Sequence, residues 1–154
     1  MIFNETQPDP HYNSISQDNI EITLIFLSDD LDKNEITNLI EHLPTNSWNA
    51  SEVLEIGSAK KMIVAETGKW YLKHNTIASK IDDGISSLLN SLCQDMDVWN
   101  ILSNKYNGFI EISAYQHLWN HSYYLKPEVL NKLAKRNLGL NFDIYNINIF
   151  EVEQ

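Results

Sequence analysis

Residues 20–45 read IEITLIFLSDDLDKNEITNLIEHLPT, and the rest of the chain is organised around them. Apolar residues alternate from Ile20 to Phe26, which predicts a strand with one side facing the core. Because Ile25 and Leu27 make the opposite side apolar as well, we expect this strand to lie in the centre of its sheet. An acidic turn then leads into residues with helical spacing, so the segment predicts a strand, a turn and a helix.

The helix after the turn has clear start and stop signals. Asp32 is predicted to be its N-cap, and Glu35 completes a capping box three residues later. Pro44 ends the helix, which we therefore place at residues 33–43. Apolar residues at positions i, i+3, i+4 and i+7 predict one buried stripe, formed by Ile36, Leu39, Ile40 and Leu43.

The middle of the chain predicts a loop, a hairpin and the longest helix. Residues 46–59 are polar, and we expect a loop anchored by Trp48. Residues 61–66 and 69–74 have strand-like composition around a Thr-Gly pair, which predicts two strands joined by a tight hairpin.

The longest helix follows this hairpin. Ser79 and Asp82 predict a capping box at its start. Apolar residues then continue at helical spacing to Trp99, and we expect a break near residues 95–97 before a last turn that ends around residues 106–108.

The C-terminal third predicts a strand, a helix and a final strand. Residues 109–115 alternate, and residues 123–125 suggest a short extended piece. Pro127 suits the first position of a helix, and Gly139 suits the left-handed residue after it. The final strand is predicted from the alternating residues Leu140, Phe142 and Ile144.

The order of these elements predicts an α+β protein. We expect a mostly antiparallel sheet packed against helices, with a ferredoxin-like core and an added C-terminal helix and strand. Residues 1–19, with two prolines and no periodicity, predict a flexible arm. Residues 20–154 are enough for a single domain with its own core.

The net charge of −10 is concentrated in the first part of the chain. The first 58 residues contain eleven acidic residues and one basic residue, whereas the rest contains ten of each. Such an imbalance repels nucleic acid and anionic membranes and attracts cationic partners. A merely solubilising acidic face is the alternative interpretation.

The sequence carries no membrane-spanning or secretory signal. No apolar run approaches the roughly 18 residues of a membrane helix, and the N-terminus lacks the basic-then-apolar order of a signal peptide. We therefore expect a cytoplasmic protein. The single cysteine, Cys93, excludes an internal disulfide and is interpreted as a buried apolar side chain.

Two groups of residues resemble metal sites in composition. Asp29, Asp30 and Asp32 offer the carboxylate oxygens that Mg²⁺ or Ca²⁺ prefers, but the start of the helix explains them as well. His117 and His121 have the four-residue spacing of helical zinc ligands, without a neighbouring glutamate or cysteine, and we expect a surface loop there. We predict no metal and no cofactor.

Catalytic patterns are equally weak. Asp82 and Asp83 are a poor acid–base pair, since adjacent residues of a helix point in different directions, and acidic residues are common in first turns. No Gly-x-Ser-x-Gly motif is present. We therefore expect a protein that is not an enzyme.

Two segments resemble a known bacterial family. Residues 28–45 contain Ser28-Asp29-Asp30-Leu31-Asp32 and later Leu43-Pro44-Thr45, and residues 124–145 contain Tyr124-Leu125-Lys126-Pro127-Glu128-Val129-Leu130 and Gly139-Leu140-Asn141-Phe142-Asp143-Ile144-Tyr145. Together they resemble the opening and the closing helix and strand of the domain-of-unknown-function family numbered 4279. The resemblance implies a compact bacterial domain without agreed catalytic residues, some of whose relatives resemble immunity proteins encoded beside polymorphic toxins.

Charge and resemblance together suggest a function in protein binding. Our hypothesis is an immunity protein that binds and neutralises a basic toxin domain, a nuclease with a positive cleft, without binding nucleic acid or membrane. The predicted contacts are acidic residues and one exposed aromatic, namely Asp29, Asp30, Asp32, Glu35, Glu41, Glu52, Glu55 and Trp119.

Two other functions remain open. One is a small-molecule binding or regulatory domain without catalysis, whose ligand lies between the sheet and the long helix, lined by Trp70, Tyr71 and Tyr115. The other is a hydrolase using Asp82 or His117, for which the sequence gives no positive signal.

Overall fold

The computed structural model describes residues 19–117 and 120–146. Its seven described strands form a five-stranded sheet and a separate two-stranded hairpin. The strands are β1 (Asn19–Ser28), β2 (Asn46–Trp48), β3 (Val53–Ile56), β4 (Lys61–Val64), β5 (Gly68–Ile77), β6 (Asn107–Gln116) and β7 (Gly139–Asn146).

Four α-helices and one 3₁₀ turn lie between the strands in the described part of the chain. None of these helices is long and apolar enough to cross a membrane. The helices are α1 (Lys33–Ile40), α2 (Ile81–Asn90), α3 (Met96–Lys105) and α4 (Pro127–Lys135), and the 3₁₀ turn Ala78–Lys80 precedes α2.

The five-stranded sheet has the order β2-β5-β1-β6-β7. β1 is therefore the central strand, as its two apolar sides predicted, and it is antiparallel to both β5 and β6. β7 runs parallel to β6 after the crossover through α4. The predicted α+β class, with a mostly antiparallel sheet and a C-terminal helix and strand, is confirmed.

The core lies on one face of this sheet. Alternate side chains of β1, from Ile20 to Phe26, are buried in a cluster to which each helix contributes. Examples from the four helices are Ile36, Ile85, Trp99 and Leu133. Ile25 is also buried but lies outside that cluster, because it points to the opposite face.

Helix α1 starts where predicted and ends earlier than predicted. Asp32 is its N-cap, but the helix stops at Ile40 because Glu41 adopts a left-handed conformation with φ of 62°. The N–H of Glu41 donates to the carbonyl of Thr37 at 3.1 Å, which closes the last turn. Leu43 is consequently 75% exposed instead of lying on the buried stripe.

The strand pairing predicted for residues 46–74 was wrong. The expected loop at residues 46–59 contains β2 and β3. The expected hairpin does not form, because β4 pairs with β3 while β5 pairs with β1 and β2. The glycine of the Thr-Gly pair instead permits close packing: a Cβ at Gly68 would lie 2.7 Å from the Cβ of Leu31.

The long helix breaks earlier than expected, into α2 and α3. Asp95 caps α3 by accepting a hydrogen bond from the N–H of Asp97 at 2.9 Å. Ser79 is not the N-cap residue of the helix as predicted, because it lies in the 3₁₀ turn Ala78–Lys80 and Lys80 occupies the N-cap position of α2. The apolar spacing was thus a better guide than the local capping motif.

The C-terminal elements agree with the prediction except at two points. α4 begins at Pro127 and β7 contains the alternating residues, as expected. The left-handed residue after α4 is Asn137, with φ of 52°, whereas Gly139 begins β7. Residues 123–125 form no strand. Asn19, assigned to the arm, is the first residue of β1, and residues 1–18 lie outside the described part.

Candidate functional site

Three of the predicted contact residues form one exposed turn between β1 and α1. We call Asp29, Asp30 and Asp32 the acidic turn, and all three are exposed. The Asp29 carboxylate accepts a hydrogen bond from the Thr67 hydroxyl. Asp32 accepts from two backbone N–H groups at the start of α1, at 2.9 and 3.1 Å. These bonds fix the turn, since the first N–H groups of a helix have no partner within it.

A groove lies beside the acidic turn, between α1 and the end of α3. β6 runs antiparallel to β1, with Asn107 opposite Leu27, so the residues that precede β6 lie next to the turn that follows β1. We call this the acidic groove, and its lining residues are Asp30, Asp32, Asn34, Glu35, Asn38, Leu39, Lys105 and Tyr106.

Glu35 is held in the acidic groove by two side chains from the end of α3. The Lys105 ammonium lies 2.5 Å from one carboxylate oxygen, and the Tyr106 hydroxyl donates to the other. Tyr106 also accepts a hydrogen bond from the N–H of Asp32 at 3.4 Å. The predicted capping box is therefore only half formed: Asp32 bonds the N–H of Glu35, while Glu35 turns away to α3.

These contacts shift two pKa values in opposite directions. The hydrogen bond from Lys105, followed by the one from Tyr106, lowers the pKa of Glu35 below its ordinary value. Burial, followed by the hydrogen bond to Glu35, raises the pKa of Tyr106 to about 12. At neutral pH the pair is thus a carboxylate that accepts from a protonated phenol.

Glu52 lies near the same helix start but its charge is compensated. Lys33, the first residue of α1, places its ammonium 2.7 Å from the Glu52 carboxylate. That hydrogen bond, with a backbone bond from Asn49, lowers the pKa of Glu52. The backbone N–H of Lys33 also donates to the Asn49 side chain at 3.0 Å. Lys33 and Asn49 therefore tie α1 to the segment between β2 and β3.

The acidic turn differs from Glu35 and Glu52 in its ion pairing. Within the described residues, no lysine, arginine or histidine lies within ion-pair distance of Asp29, Asp30 or Asp32. Three carboxylates without a basic partner among the described residues therefore lie together in this turn, although the sequence alone ranks all the acidic residues equally.

The remaining predicted contacts are not part of this site. Glu41 follows the other end of α1, about 12 Å along a helix of eight residues. Glu55 lies on the β3/β4 hairpin, with Lys60 at 3.9 Å. Trp119 lies outside the described residues. The expected acidic surface is thus divided, and its compact part is the turn with Glu35 and Glu52.

The aromatic pocket that we expected for a small molecule does not form. Trp70 is fully buried in the core, and its indole N–H donates to the Thr37 hydroxyl at 3.0 Å. Tyr71 is the next residue of β5 and Tyr115 follows the buried Ala114 of β6, so both point to the opposite face of the sheet. These three aromatic side chains therefore cannot line one cavity.

The two histidines and the adjacent aspartate pair considered for metal binding or catalysis lie outside the acidic groove. The ring of His121 stacks on Tyr123 with centroids 4.3 Å apart, and His117 is exposed. Asp82 accepts a hydrogen bond from the N–H of Lys126 at 3.2 Å, while Asp83 is exposed. Over residues 19–117 and 120–146, no three histidine, cysteine, aspartate or glutamate side chains gather as a metal site would require.

Cys93 is half-buried, less than we expected for an apolar core residue. Its backbone N–H donates to the carbonyl of Ile40 at 2.9 Å, and its carbonyl accepts from the Trp99 indole at 2.8 Å. The backbone of Cys93 therefore joins α1 to the segment between α2 and α3.

The family model for a domain of unknown function (DUF4279) matches residues 18–147, which include the whole sheet and all four helices. The chain belongs to the DUF4279 family. No curated protein and no solved structure matches it. The resemblance seen in the opening and closing segments is thus confirmed, and the DUF4279 description itself assigns no activity.

Sequence reasoning missed Lys105 and Tyr106, which complete the acidic groove. Both lie at the end of a helix, where a lysine and an aromatic are ordinary residues. The signal that identifies them is the antiparallel pairing of β6 with β1, because it places the start of β6 beside the acidic turn.

Proposed function

We propose that this DUF4279 domain is an immunity protein that binds a cognate basic toxin domain through the acidic turn. The observation that carries the proposal is a contrast within the described residues: three exposed carboxylates lack a basic partner, whereas Glu35 and Glu52 beside them are paired with lysines. In this proposal the protein acts in the cytoplasm as a non-catalytic inhibitor.

Electrostatic steering is the physical reason for a basic partner to bind through the acidic turn. A nuclease binds phosphates in a positive cleft, and carboxylates on a partner raise the rate of association with such a surface. Salt screens this attraction over about 8 to 10 Å at physiological ionic strength. A partner that relies on the acidic turn should therefore associate more slowly as salt is added.

The acidic groove extends the proposed contact beyond the turn. Its walls offer Asp30 and Asp32 to an incoming lysine or arginine, while the bonds from Lys105 and Tyr106 hold Glu35 in place. We place Glu41 and Glu55 outside the main contact, because they lie at the far end of α1 and on the hairpin.

The first experiment is affinity capture of the tagged full chain from its native cells. The bound proteins are identified by mass after washing at low and at high salt. We expect a basic protein that is retained at low salt and released at high salt. An empty capture from cells shown to express a neighbouring toxin gene would contradict the proposal.

Variants of the acidic turn then test where the captured protein binds. Asp29→Asn, Asp30→Asn and Asp32→Asn together remove three charges, and asparagine still caps a helix well. The control removes three exposed charges from the first turns of the other helices, by Asp83→Asn, Asp97→Asn and Glu128→Gln. We expect the turn variant to associate at least tenfold more slowly with a flatter salt dependence, and the control to resemble the wild type. Equal rates for the two variants would remove the turn from the contact.

A small-molecule binding domain is the second candidate, with the acidic groove as its site. The observation in its favour is that the lining of the groove combines carboxylates, amides, an ammonium and a phenol. Native mass spectrometry of the purified full chain tests this candidate. A bound compound that is lost in the Asp30→Asn variant would favour it over the toxin partner.

A further inference from the structure

β7 is an edge strand of the five-stranded sheet. It is the last strand in the sheet order, and among the described residues no strand pairs with its outer side. The strand runs for eight residues, and its register with β6 is continuous, without a bulge. A long regular edge of this kind offers a row of backbone groups to another strand.

The composition of β7 lacks the usual protection of an edge. Natural sheets protect their edge strands from further pairing with lysine, proline or bulges. Gly139–Asn146 contains neither lysine nor proline and has one charged residue, Asp143. Phe142, Ile144 and Tyr145 are 39%, 45% and 42% exposed. α4, which packs beside β7, exposes Leu130 as well. Exposed apolar side chains therefore lie beside a backbone edge that no described strand covers.

We propose that β7 pairs antiparallel with β7 of a second copy of this chain, with Phe142 opposite Phe142. The argument for this occupant is that the strand is complementary to itself in that register. Leu140 then faces Ile144 of the second copy, and Asn141 faces Asp143, so apolar residues meet apolar residues and an amide meets a carboxylate. Shifting the two-fold axis to Asp143 would place two carboxylates opposite each other, which is unfavourable.

In this arrangement the helix-covered faces of the two sheets lie on the same side. Residues directly opposite each other in an antiparallel pair share a face, so Leu140, Phe142 and Ile144 of both copies lie on the helix side. α4 of each copy then flanks the joined strands on that side. The two sheets become one continuous sheet, and this pairing does not depend on the function proposed for the acidic turn.

Sedimentation equilibrium of the full chain over a range of concentrations tests the proposal. We expect a reversible dimer with twice the chain mass of 17.8 kDa. Phe142→Lys, which introduces the charge that protects natural edges, should give a monomer with an unchanged circular dichroism spectrum. Ile101→Lys on α3, at a position with 44% exposure, is the matched control and should remain dimeric. A monomeric wild type, or a dimer that tolerates Phe142→Lys, would overturn the proposal.

A charge exchange tests the register without relying on that variant. Asn141→Asp places a carboxylate opposite Asp143 at two symmetric positions, and we expect the dimer Kd to rise at least tenfold. The double variant Asn141→Asp with Asp143→Asn exchanges the two residues and should restore dimerisation. Asn141 also donates to Glu111 at 3.1 Å within one copy, and both variants change that contact equally. The double variant also replaces the Asp143 carboxylate that accepts a hydrogen bond from Tyr145 within one copy, so Asp143→Asn alone is measured as a further control. Tighter dimerisation of the double variant than the two single effects predict therefore reports the contact between copies, whereas equal Kd values for Asn141→Asp and the double variant would reject this register.

Discussion

The Tyr106 hydroxyl donates a hydrogen bond to the carboxylate of Glu35, which lies 71 residues earlier in the chain. Tyr106 is 6% exposed, and the same hydroxyl accepts from the N–H of Asp32. One phenol thus joins the end of α3 to the start of α1 and supports the wall of the acidic groove.

Replacing Tyr106 with phenylalanine removes both bonds while keeping the ring in the core. We expect Tyr106→Phe to lower the free energy of unfolding by about 1.5 kcal/mol, because a bond to a charged group is lost in a partly buried place. Urea denaturation measures the change. The control Tyr124→Phe alters a side chain that is 72% exposed and should change stability by less than about 0.5 kcal/mol. Equal effects would show that the Tyr106 bond contributes nothing.

Alkaline pH should weaken the protein through the same residue. The pKa of Tyr106 is about 12 in the folded chain against an ordinary 10.0, so the folded state keeps a proton that the unfolded state releases. The stabilisation is full below pH 10 and is lost as pH rises towards 12. We expect the stability of the wild type to fall more steeply over this range than that of Tyr106→Phe. Parallel curves for the two proteins would contradict the assignment.

Acidic pH should also lower the stability of the protein, through the loss of the Glu35 ion pair. Its pKa is lowered in the folded chain, chiefly by Lys105, so the ion pair stabilises the protein above the ordinary pKa of 4.5. This stabilisation is lost as pH falls through the folded pKa. Glu35→Gln should therefore lose less stability than the wild type below pH 4.5, as followed by urea denaturation at stepwise lower pH. A steeper loss in the variant would contradict a stabilising ion pair at Glu35.

The bond between Trp70 and Thr37 fixes α1 on the sheet. Thr37→Val keeps the branched shape but leaves the fully buried indole N–H without its acceptor, which we expect to cost about 1 to 3 kcal/mol. Thr37→Ser retains the hydroxyl and should lose less. Thermal unfolding measures the loss of stability in each variant. A smaller loss in Thr37→Val than in Thr37→Ser would contradict a stabilising bond to Trp70.

Gly84 permits the close approach of α2 to the sheet. A Cβ at this position would lie 2.7 Å from the Cδ1 of Ile22 and 2.9 Å from the Cγ2 of Thr76. Alanine favours a helix by about 1 kcal/mol over glycine, but overpacking costs about 1 to 3 kcal/mol. We therefore expect Gly84→Ala to be destabilising.

Two controls separate packing from helix propensity at Gly84. Ser87→Ala changes an exposed position of the same helix and should slightly stabilise the protein. Ile22→Val removes the Cδ1 atom, so the double variant with Gly84→Ala should be more stable than the sum of the single effects. Additive effects in denaturation would exclude the clash with Ile22.

Local signals in the amino-acid sequence were sufficient to identify several elements. The alternation from Ile20 to Phe26 identified β1, Asp32 marked the start of α1, and Pro127 marked the start of α4. These signals reside in neighbouring residues, because side-chain direction alternates along a strand and helix caps bond within one turn. The apolar second side of β1 also indicated its central place.

Strand pairing, and with it the site, depended on the tertiary structure. The strand-like composition of residues 61–66 is the same whether the strand pairs with β5 or with β3, and it is β3 that pairs with β4. Glu35 satisfies the capping-box pattern, yet Lys105 and Tyr106 bind its carboxylate because β6 pairs with β1. A local pattern specifies the conformation of a segment, whereas its partners depend on which distant surfaces the core brings together. The amount of acidic charge is therefore a property of the sequence, but the fold determines that Glu35 and Glu52 are paired with lysines while Asp29, Asp30 and Asp32 beside them are not.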